Sequence, residues 1–100
     1  MAINAEEFAS EYLEAFKERM RINNNEEDDN LKRMLRSSVV AIVLLVGATE
    51  IEDMLVELVF ERARYVYHDA LDEFQQNYNN EIEMQYLINK MKEGEENDDA

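Results

Sequence analysis

The chain has 100 residues, enough for one domain with a modest apolar core. Its 24 acidic residues outnumber 10 Lys and Arg, and the formal net charge of −14 argues against binding to DNA, RNA or anionic membranes. The sequence contains no cysteine, which excludes disulfides and thiolate catalysis. The longest apolar run, residues 39–46, is too short to span a bilayer, and the acidic first residues predict no signal peptide.

The first predicted element is a helix over residues 5–21. Asn4 can cap it, with Glu7 three residues later, and acidic side chains are favoured near the positive end of a helix dipole. Large apolar side chains recur at every fourth position: Phe8, Tyr12, Phe16 and Met20. Three consecutive asparagines at 23–25 favour a turn and are expected to end the helix.

Four consecutive carboxylates follow at residues 26–29. Their composition suits a cation, but an EF-hand requires alternating ligands, a glycine within the loop and a glutamate at the twelfth position. The spacing here lacks these features. We therefore interpret the acidic run as the negatively charged first turn of the next helix, and no metal site is predicted.

The second predicted helix has apolar residues at three- and four-residue spacing and ends at Gly47, a good residue for a helix C-terminus. The residues that carry the pattern are Leu31, Leu35, Ser38, Ile42 and Leu45. Residues 38–46 are rich in β-branched side chains and are also compatible with a buried strand. No second segment in the chain would pair with such a strand, so we favour a helix.

Residues 49–78 contain neither proline nor glycine and predict one long helix. Thr49 and Glu52 have the spacing of a capping box at its start. A helix of this length would extend roughly 45 Å, whereas a globule of this size is roughly 33 Å across. We therefore expect part of this helix to pack against something other than its own chain.

Two apolar stripes are predicted on this long helix, where a surface helix normally has one. The first consists of Ile51, Leu55, Leu58, Val59, Val66 and Ala70. The second, richer in aromatic residues, consists of Phe60, Ala63, Tyr67, Leu71, Phe74 and Tyr78. Both stripes can belong to one intramolecular bundle, or the second can face a partner, and the length of the helix favours a partner.

The end of the chain is predicted to be less regular. Three asparagines at 77, 79 and 80 predict a break or kink, and a short helical segment follows with Ile82, Tyr86, Leu87 and Met91. Residues 93–100 are expected to form a disordered acidic tail. The predicted fold is therefore a small all-α bundle of three to four helices in a single domain, residues 1–92.

No catalytic constellation is found in the sequence. Phosphate-binding glycine motifs are absent, since the chain has only two glycines. The single histidine, His68, falls between the two apolar stripes beside Asp69 and is interpreted as a surface residue. Acidic pairs such as Glu57 and Glu61 are common on any acidic helix. We predict a protein that is not an enzyme and that has neither a metal nor a cofactor.

Three segments together resemble a known family. FKERMRI ends a helix before an acidic turn, EDDNLKRMLRSSV leads into an apolar helix, and LVELVFERARYVYHDALDEFQQNY follows the glycine. Over about four-fifths of the chain this arrangement resembles the small head–tail connector, adaptor or head-completion, proteins of long-tailed bacteriophages, particularly those of Gram-positive hosts. The residues before Phe16 and the acidic tail have no firm counterpart.

The resemblance implies a virion protein made in the bacterial cytoplasm. Such proteins form a ring of about a dozen copies below the portal at the capsid vertex, through contacts between different faces of neighbouring subunits. The ring extends the DNA channel and carries the stopper or tail-completion protein. An acidic channel wall would let DNA pass without specific binding.

Under this hypothesis the functional residues are those that contact a neighbouring subunit or the portal. For the subunit interface we predict Phe60, Tyr67, Leu71, Phe74 and Tyr78, since aromatic residues dominate interface energetics. For docking to the portal we predict Tyr86, Leu87 and Met91. Arg62 and Arg64 are expected to pair with carboxylates of the same or a neighbouring subunit.

Two other functions are compatible with the sequence. The charge and the helical pattern fit an acidic DNA mimic that occupies a nucleic-acid-binding protein. A magnesium-dependent hydrolase is a third, weaker interpretation, because the EExxE signature of all-α pyrophosphohydrolases is not matched by Glu6, Glu7 and Ser10.

Overall fold

A computed structural model describes residues 3–98, with side chains described for residues 3–94. Four helices follow one another: α1 Ala5–Met20, α2 Asp28–Val46, α3 Asp53–Tyr67 and α4 Leu71–Asp98. The described part of the chain contains no strand, which confirms the all-α bundle and the helical interpretation of residues 38–46. Helix α2 packs against the other three helices, and α3 also packs against α4.

Helix α1 forms as its sequence predicts. Asn4 Oδ1 accepts a hydrogen bond of 3.0 Å from the backbone N–H of Glu7, which satisfies one of the free donors of the first turn. Arg21 ends the helix in the left-handed region with φ at 60°, and the amide of Ile22 donates to the carbonyl of Lys17 at 2.9 Å. The helix thus stops just before the asparagine turn.

The acidic turn between α1 and α2 is fixed by one buried cation. Lys17 Nζ donates to Asn25 Oδ1 at 2.8 Å and lies 2.8 Å from Asp28 Oδ1. The Lys17 side chain is almost fully buried, so this pair ties the turn to the end of α1. Asp28 and Asp29 lie in the first turn of α2, which confirms the predicted role of the acidic run.

Helix α2 is the centre of the fold. Its buried residues form one continuous stripe: Leu31, Leu35, Ser38, Val39, Ile42, Val43 and Val46. Gly47 ends the helix with φ at 67°, a conformation that costs glycine little because it lacks a Cβ. The prediction that this helix would end at Gly47 is confirmed.

The prediction of a single helix over residues 49–78 is wrong. The chain begins α3 only at Asp53, and Glu52 rather than Thr49 precedes it, without a side-chain cap. Helix α3 ends at Tyr67, where Asp69 adopts φ of 58° and the amide of Ala70 donates to the carbonyl of Tyr65 at 2.8 Å. This is the bonding pattern of a helix-ending turn, here with aspartate in the place of the usual glycine.

The longest helix is α4, which runs through the asparagines at which a break was predicted. Asparagine is only a weak helix breaker, and packing of Phe74, Tyr78 and Ile82 on the core outweighs its low propensity. The helix continues as far as Asp98, into the segment expected to be a disordered tail, while residues 99 and 100 lie outside the described part. Its 28 residues correspond to about 42 Å.

Candidate interaction surfaces

Two of the five predicted subunit-interface residues lie inside the chain's own core. Phe74 is 1% exposed, and Phe60 is also buried. The Phe60 ring lies 5.4 Å from that of Phe16, between centroids, and the Phe74 ring lies 5.7 Å from that of Tyr65. The interface assignment is therefore wrong for Phe60, which packs against α1, and for Phe74, because the turn at Asp69 folds α4 back onto α3.

The other three residues of that prediction, Tyr67, Leu71 and Tyr78, are partly buried against the same core. Tyr67 Oη donates to the carboxylate of Glu27 at 3.0 Å, and this hydrogen bond raises the pKa of Tyr67. Most of the second apolar stripe therefore packs against the core of its own chain. A role of its half-buried members in contact with a neighbour stays a prediction.

A buried carboxylate, Glu61, holds α3 and α4 together. It accepts hydrogen bonds from Arg64 at 2.8 and 3.2 Å and from Tyr78 Oη at 2.6 Å, and Arg19 of α1 lies 3.9 Å away. The Arg64 hydrogen bonds, and then that from Tyr78, lower the pKa of Glu61 despite its burial. The carboxylate in turn raises the pKa of Tyr78 to about 12.

The two predicted ion-pairing arginines behave differently. Arg64 pairs with Glu61 of the same chain, as predicted. Arg62 instead donates to Ser38 Oγ at 3.0 Å, and within the described residues it forms no ion pair. Burial lowers the pKa of the Arg62 guanidinium. Arg62 therefore contributes a hydrogen bond between α3 and α2.

The distal half of α4 carries an exposed apolar stripe, which we call the α4 patch. Its members, spaced three and four residues apart, are Met84, Leu87, Ile88 and Met91. Met84 is 61% exposed and Met91 67%. Four large apolar side chains exposed on one face of a helix are typical of a surface that binds another protein.

The predicted portal-docking residues do not form one surface. Leu87 and Met91 are one turn apart and belong to the α4 patch. Tyr86 is also exposed, but at 100° per residue it lies about 100° around the helix from Leu87. Met84 and Ile88 also belong to the α4 patch but are not among the predicted residues, although their spacing from Leu87 and Met91 is the helical signal that identifies them.

Beside the α4 patch, two contacts join the distal end of α4 to the rest of the bundle. Asn89 Nδ2 donates to the carbonyl oxygen of Val46 at 2.8 Å, and Lys92 Nζ lies 3.0 Å from a carboxylate oxygen of Glu52. Asn89 is two residues from both Leu87 and Met91, about 200° around the helix. The α4 patch therefore points away from α2.

A second exposed face, the α2 outer face, lies on the side of α2 away from its core. Its members follow helical spacing: Arg33, Ser37, Val40 and Leu44. Leu44 is 75% exposed, and it lies two residues from each of the buried Ile42 and Val46. Arg33 is exposed and, within the described residues, is not part of an ion pair.

A groove of about 330 Å³ lies between the start of α1 and the α2–α3 connection, and we call it the α1 groove. It has an apolar base and an acidic rim, with polar Asn4 and Thr49 beside them. The apolar residues are Ile3, Phe8 and Ile51, and the acidic ones are Glu7, Glu11 and Glu50. The carboxylates of α1 continue beyond the groove as an exposed row formed by Glu7, Glu11, Glu14 and Glu18.

The residues considered for catalysis or metal binding do not lie together in the structure. His68 is exposed at the end of α3, where its ring lies 5.2 Å from that of Tyr67, between centroids. Among the described residues, no three His, Asp or Glu side chains are grouped so as to hold a metal ion. Within the same range, no helix combines the length and the apolar character needed to cross a membrane.

Comparisons with protein-family models, characterised proteins and solved structures gave no match to this chain.

Proposed function

We propose that this chain is a structural assembly protein, a ring-forming head–tail connector that docks below a phage portal and extends its DNA channel. Docking uses the α4 patch, which retains Leu87 and Met91 of the sequence prediction and adds Met84 and Ile88. The ring then presents a platform for a stopper or tail-completion protein. In this proposal, the ring and the location in the virion are taken from the family resemblance of the sequence.

The observation that carries the proposal is the position of the α4 patch. The first half of α4 is held to the core by Phe74 and Tyr78, while the second half exposes four large apolar side chains. Leaving these side chains in water forgoes about 25 cal/mol per Å² of apolar area that a partner would cover. A portal subunit with an apolar groove would recover this free energy.

The charge of the chain also supports a channel protein. A formal net charge of −14 repels the phosphates of DNA. A ring that lines a DNA passage must not hold the DNA that moves through it. An acidic wall meets this requirement without any specific contact.

Co-sedimentation with the portal oligomer encoded in the same genome tests the proposal. The double variant Leu87→Glu/Met91→Glu is expected to lose co-sedimentation, because two charges would have to be buried in an apolar contact. Met54→Glu is the matched control, since Met54 is exposed at the start of α3 outside the α4 patch. Equal binding by the double variant and the control would refute docking through this patch.

A second function, an acidic DNA mimic, is favoured by one observation, the exposed carboxylate row of α1. Side chains three and four residues apart on a helix are neighbours, so this row presents regularly spaced negative charge. A mimic would bind a basic protein with steep salt dependence, whereas docking through the α4 patch depends mainly on apolar area. Measuring the affinity for any identified partner over a salt series separates the two.

A further inference from the structure

We propose that a second copy of this chain docks its α2 outer face into the α1 groove of the first. Leu44 enters the groove beside Ile51, and Arg33 lies along the carboxylate row of α1. The inference deepens the proposed function, because it names the contact through which the ring would form. It replaces the buried Phe60 and Phe74 as the predicted subunit contact.

Charge complementarity along α1 argues for the α2 outer face as the occupant of the α1 groove. The rim of the α1 groove is formed by Glu7, Glu11 and Glu50. The α2 outer face combines apolar Val40 and Leu44, which suit the apolar base of the groove, with exposed Arg33. Within the described residues Arg33 forms no ion pair, and it suits the carboxylate row that continues from the rim along α1.

The lengths of the two surfaces also agree. Leu44 and Arg33 are eleven residues apart, which is about 16 Å along α2. Glu7 at the groove and Glu18 at the far end of the carboxylate row are separated by the same number of residues along α1. When the incoming α2 runs antiparallel to α1 with Leu44 in the groove, Arg33 reaches Glu18.

The contact joins two different faces of the molecule. Each copy therefore keeps one free α2 outer face and one free α1 groove after pairing, and further copies can add in the same sense. Such contacts close into a ring or continue as a filament, according to the rotation between neighbours. Both surfaces leave the α4 patch uncovered, so docking to a portal and contact between copies use separate residues.

Disulfide trapping tests the contact directly, because the chain has no cysteine of its own. Two single variants of the full chain, Leu44→Cys and Ile51→Cys, are mixed at high concentration and oxidised. We expect the mixed disulfide between the two variants to dominate. A mixture of Leu44→Cys with Met84→Cys is the matched control, because Met84 is also highly exposed but lies in the α4 patch.

A charge exchange on the same pair tests the predicted orientation. Adding Arg33→Glu to the Leu44→Cys chain should lower the yield of mixed disulfide several-fold. Adding Glu18→Lys to the Ile51→Cys chain should then restore it, because the pair is rebuilt with its charges reversed. Failure of this restoration would overturn the antiparallel orientation.

Two results would overturn the contact itself. One is a mixed-disulfide yield no higher than that of the Met84→Cys control. The other is a predominance of disulfides between identical variants, which would indicate a symmetric contact between like faces. Neither result bears on co-sedimentation with the portal, since Leu87 and Met91 are unchanged in these variants, so failure of this inference can be told from failure of the proposed function.

Discussion

Helices α2 and α4 both carry apolar residues three and four positions apart but bury them to different extents. Helix α2 lies between the other three helices and buries seven residues in one stripe. Helix α4 is longer, yet among its described side chains only Phe74 is buried. The comparison shows that apolar spacing predicts which residues share a face, whereas burial depends on how many neighbours the fold places beside that face.

The difference between the two halves of α4 has the same cause. Its first half faces α3, where Phe74 stacks on Tyr78 with ring centroids 4.9 Å apart and Tyr78 bonds Glu61. Its second half meets the bundle through the polar contacts of Asn89 and Lys92. A helix fixed by packing at one end and by polar contacts at the other leaves apolar surface free for a partner.

The largest expected effect separates the buried and exposed faces of α4. Phe74→Asp should destabilise the fold by about 3–5 kcal/mol or more, because it removes a core aromatic side chain and buries a charge. Met84→Asp, the matched change on the α4 patch, should alter the free energy of unfolding by no more than about 0.5 kcal/mol. Urea unfolding followed by circular dichroism measures both. Similar losses from the two variants would contradict the comparison.

The hydrogen bond between Glu61 of α3 and Tyr78 of α4 should make the free energy of unfolding depend on pH. Glu61 has a lowered pKa in the folded state, so its contribution is complete above the ordinary carboxylate value of 4.5 and is lost as pH falls through the folded value. Tyr78 has a raised pKa, so its contribution is complete below pH 10.0 and is lost as pH rises towards about 12. The contribution of this contact to stability should therefore be constant between these limits.

Removing one partner of this contact sharpens the test. Tyr78→Phe should cost about 1.5–3 kcal/mol at neutral pH, because it leaves a charged acceptor without one donor. It should also remove the Tyr78 contribution to the loss of stability at alkaline pH. The exposed Tyr86→Phe serves as the control and should leave the thermal midpoint almost unchanged. An unaltered alkaline profile in the Tyr78 variant would refute the role of this hydroxyl.

The smallest expected effect concerns the turn that separates α3 from α4. Asp69 has φ of 58°, a left-handed conformation that costs a non-glycine residue about 1–2 kcal/mol. Asp69→Gly should therefore stabilise the protein by up to about 1 kcal/mol, after the added freedom of the unfolded chain is subtracted. Asp72→Gly in the first turn of α4 is the control and should destabilise by about 0.5–1 kcal/mol, because it lowers helix propensity and removes a negative charge at the helix N-terminus. Differential scanning calorimetry of the two variants would decide.

Features with strong local causes could be predicted from the sequence. The Asn4 cap, the asparagine turn and the end of α2 at Gly47 each depend on one or a few residues, and each is found where the sequence places it. The helical state of residues 38–46 followed from the lack of a pairing strand. In these cases local chemistry and tertiary packing favour the same conformation.

The start and end of α3 could not be predicted in the same way. A helix-ending turn built on Asp69 leaves no glycine or proline in the sequence, and the nearby asparagines gave a stronger but incorrect signal. The helix break lies at 68–70 and not at 77–80. The aromatic residues after it therefore pack inside the bundle and do not form an outer stripe. Only Leu87 and Met91 of the α4 patch are among the predicted docking residues. Met84 and Ile88 are not, and Tyr86, which is, lies on another face of the helix.

The two polar contacts at the distal end of α4 determine how the helix would yield to a load. The ion pair of Lys92 with Glu52 is exposed and contributes about 0–1 kcal/mol, whereas Asn89 binds a main-chain oxygen of α2. A pull on the far end of α4 would break the ion pair first and the amide contact next. Further separation would then have to pull Ile82, Tyr78 and Phe74 away from the core, so apolar packing resists the load after the two polar contacts have broken.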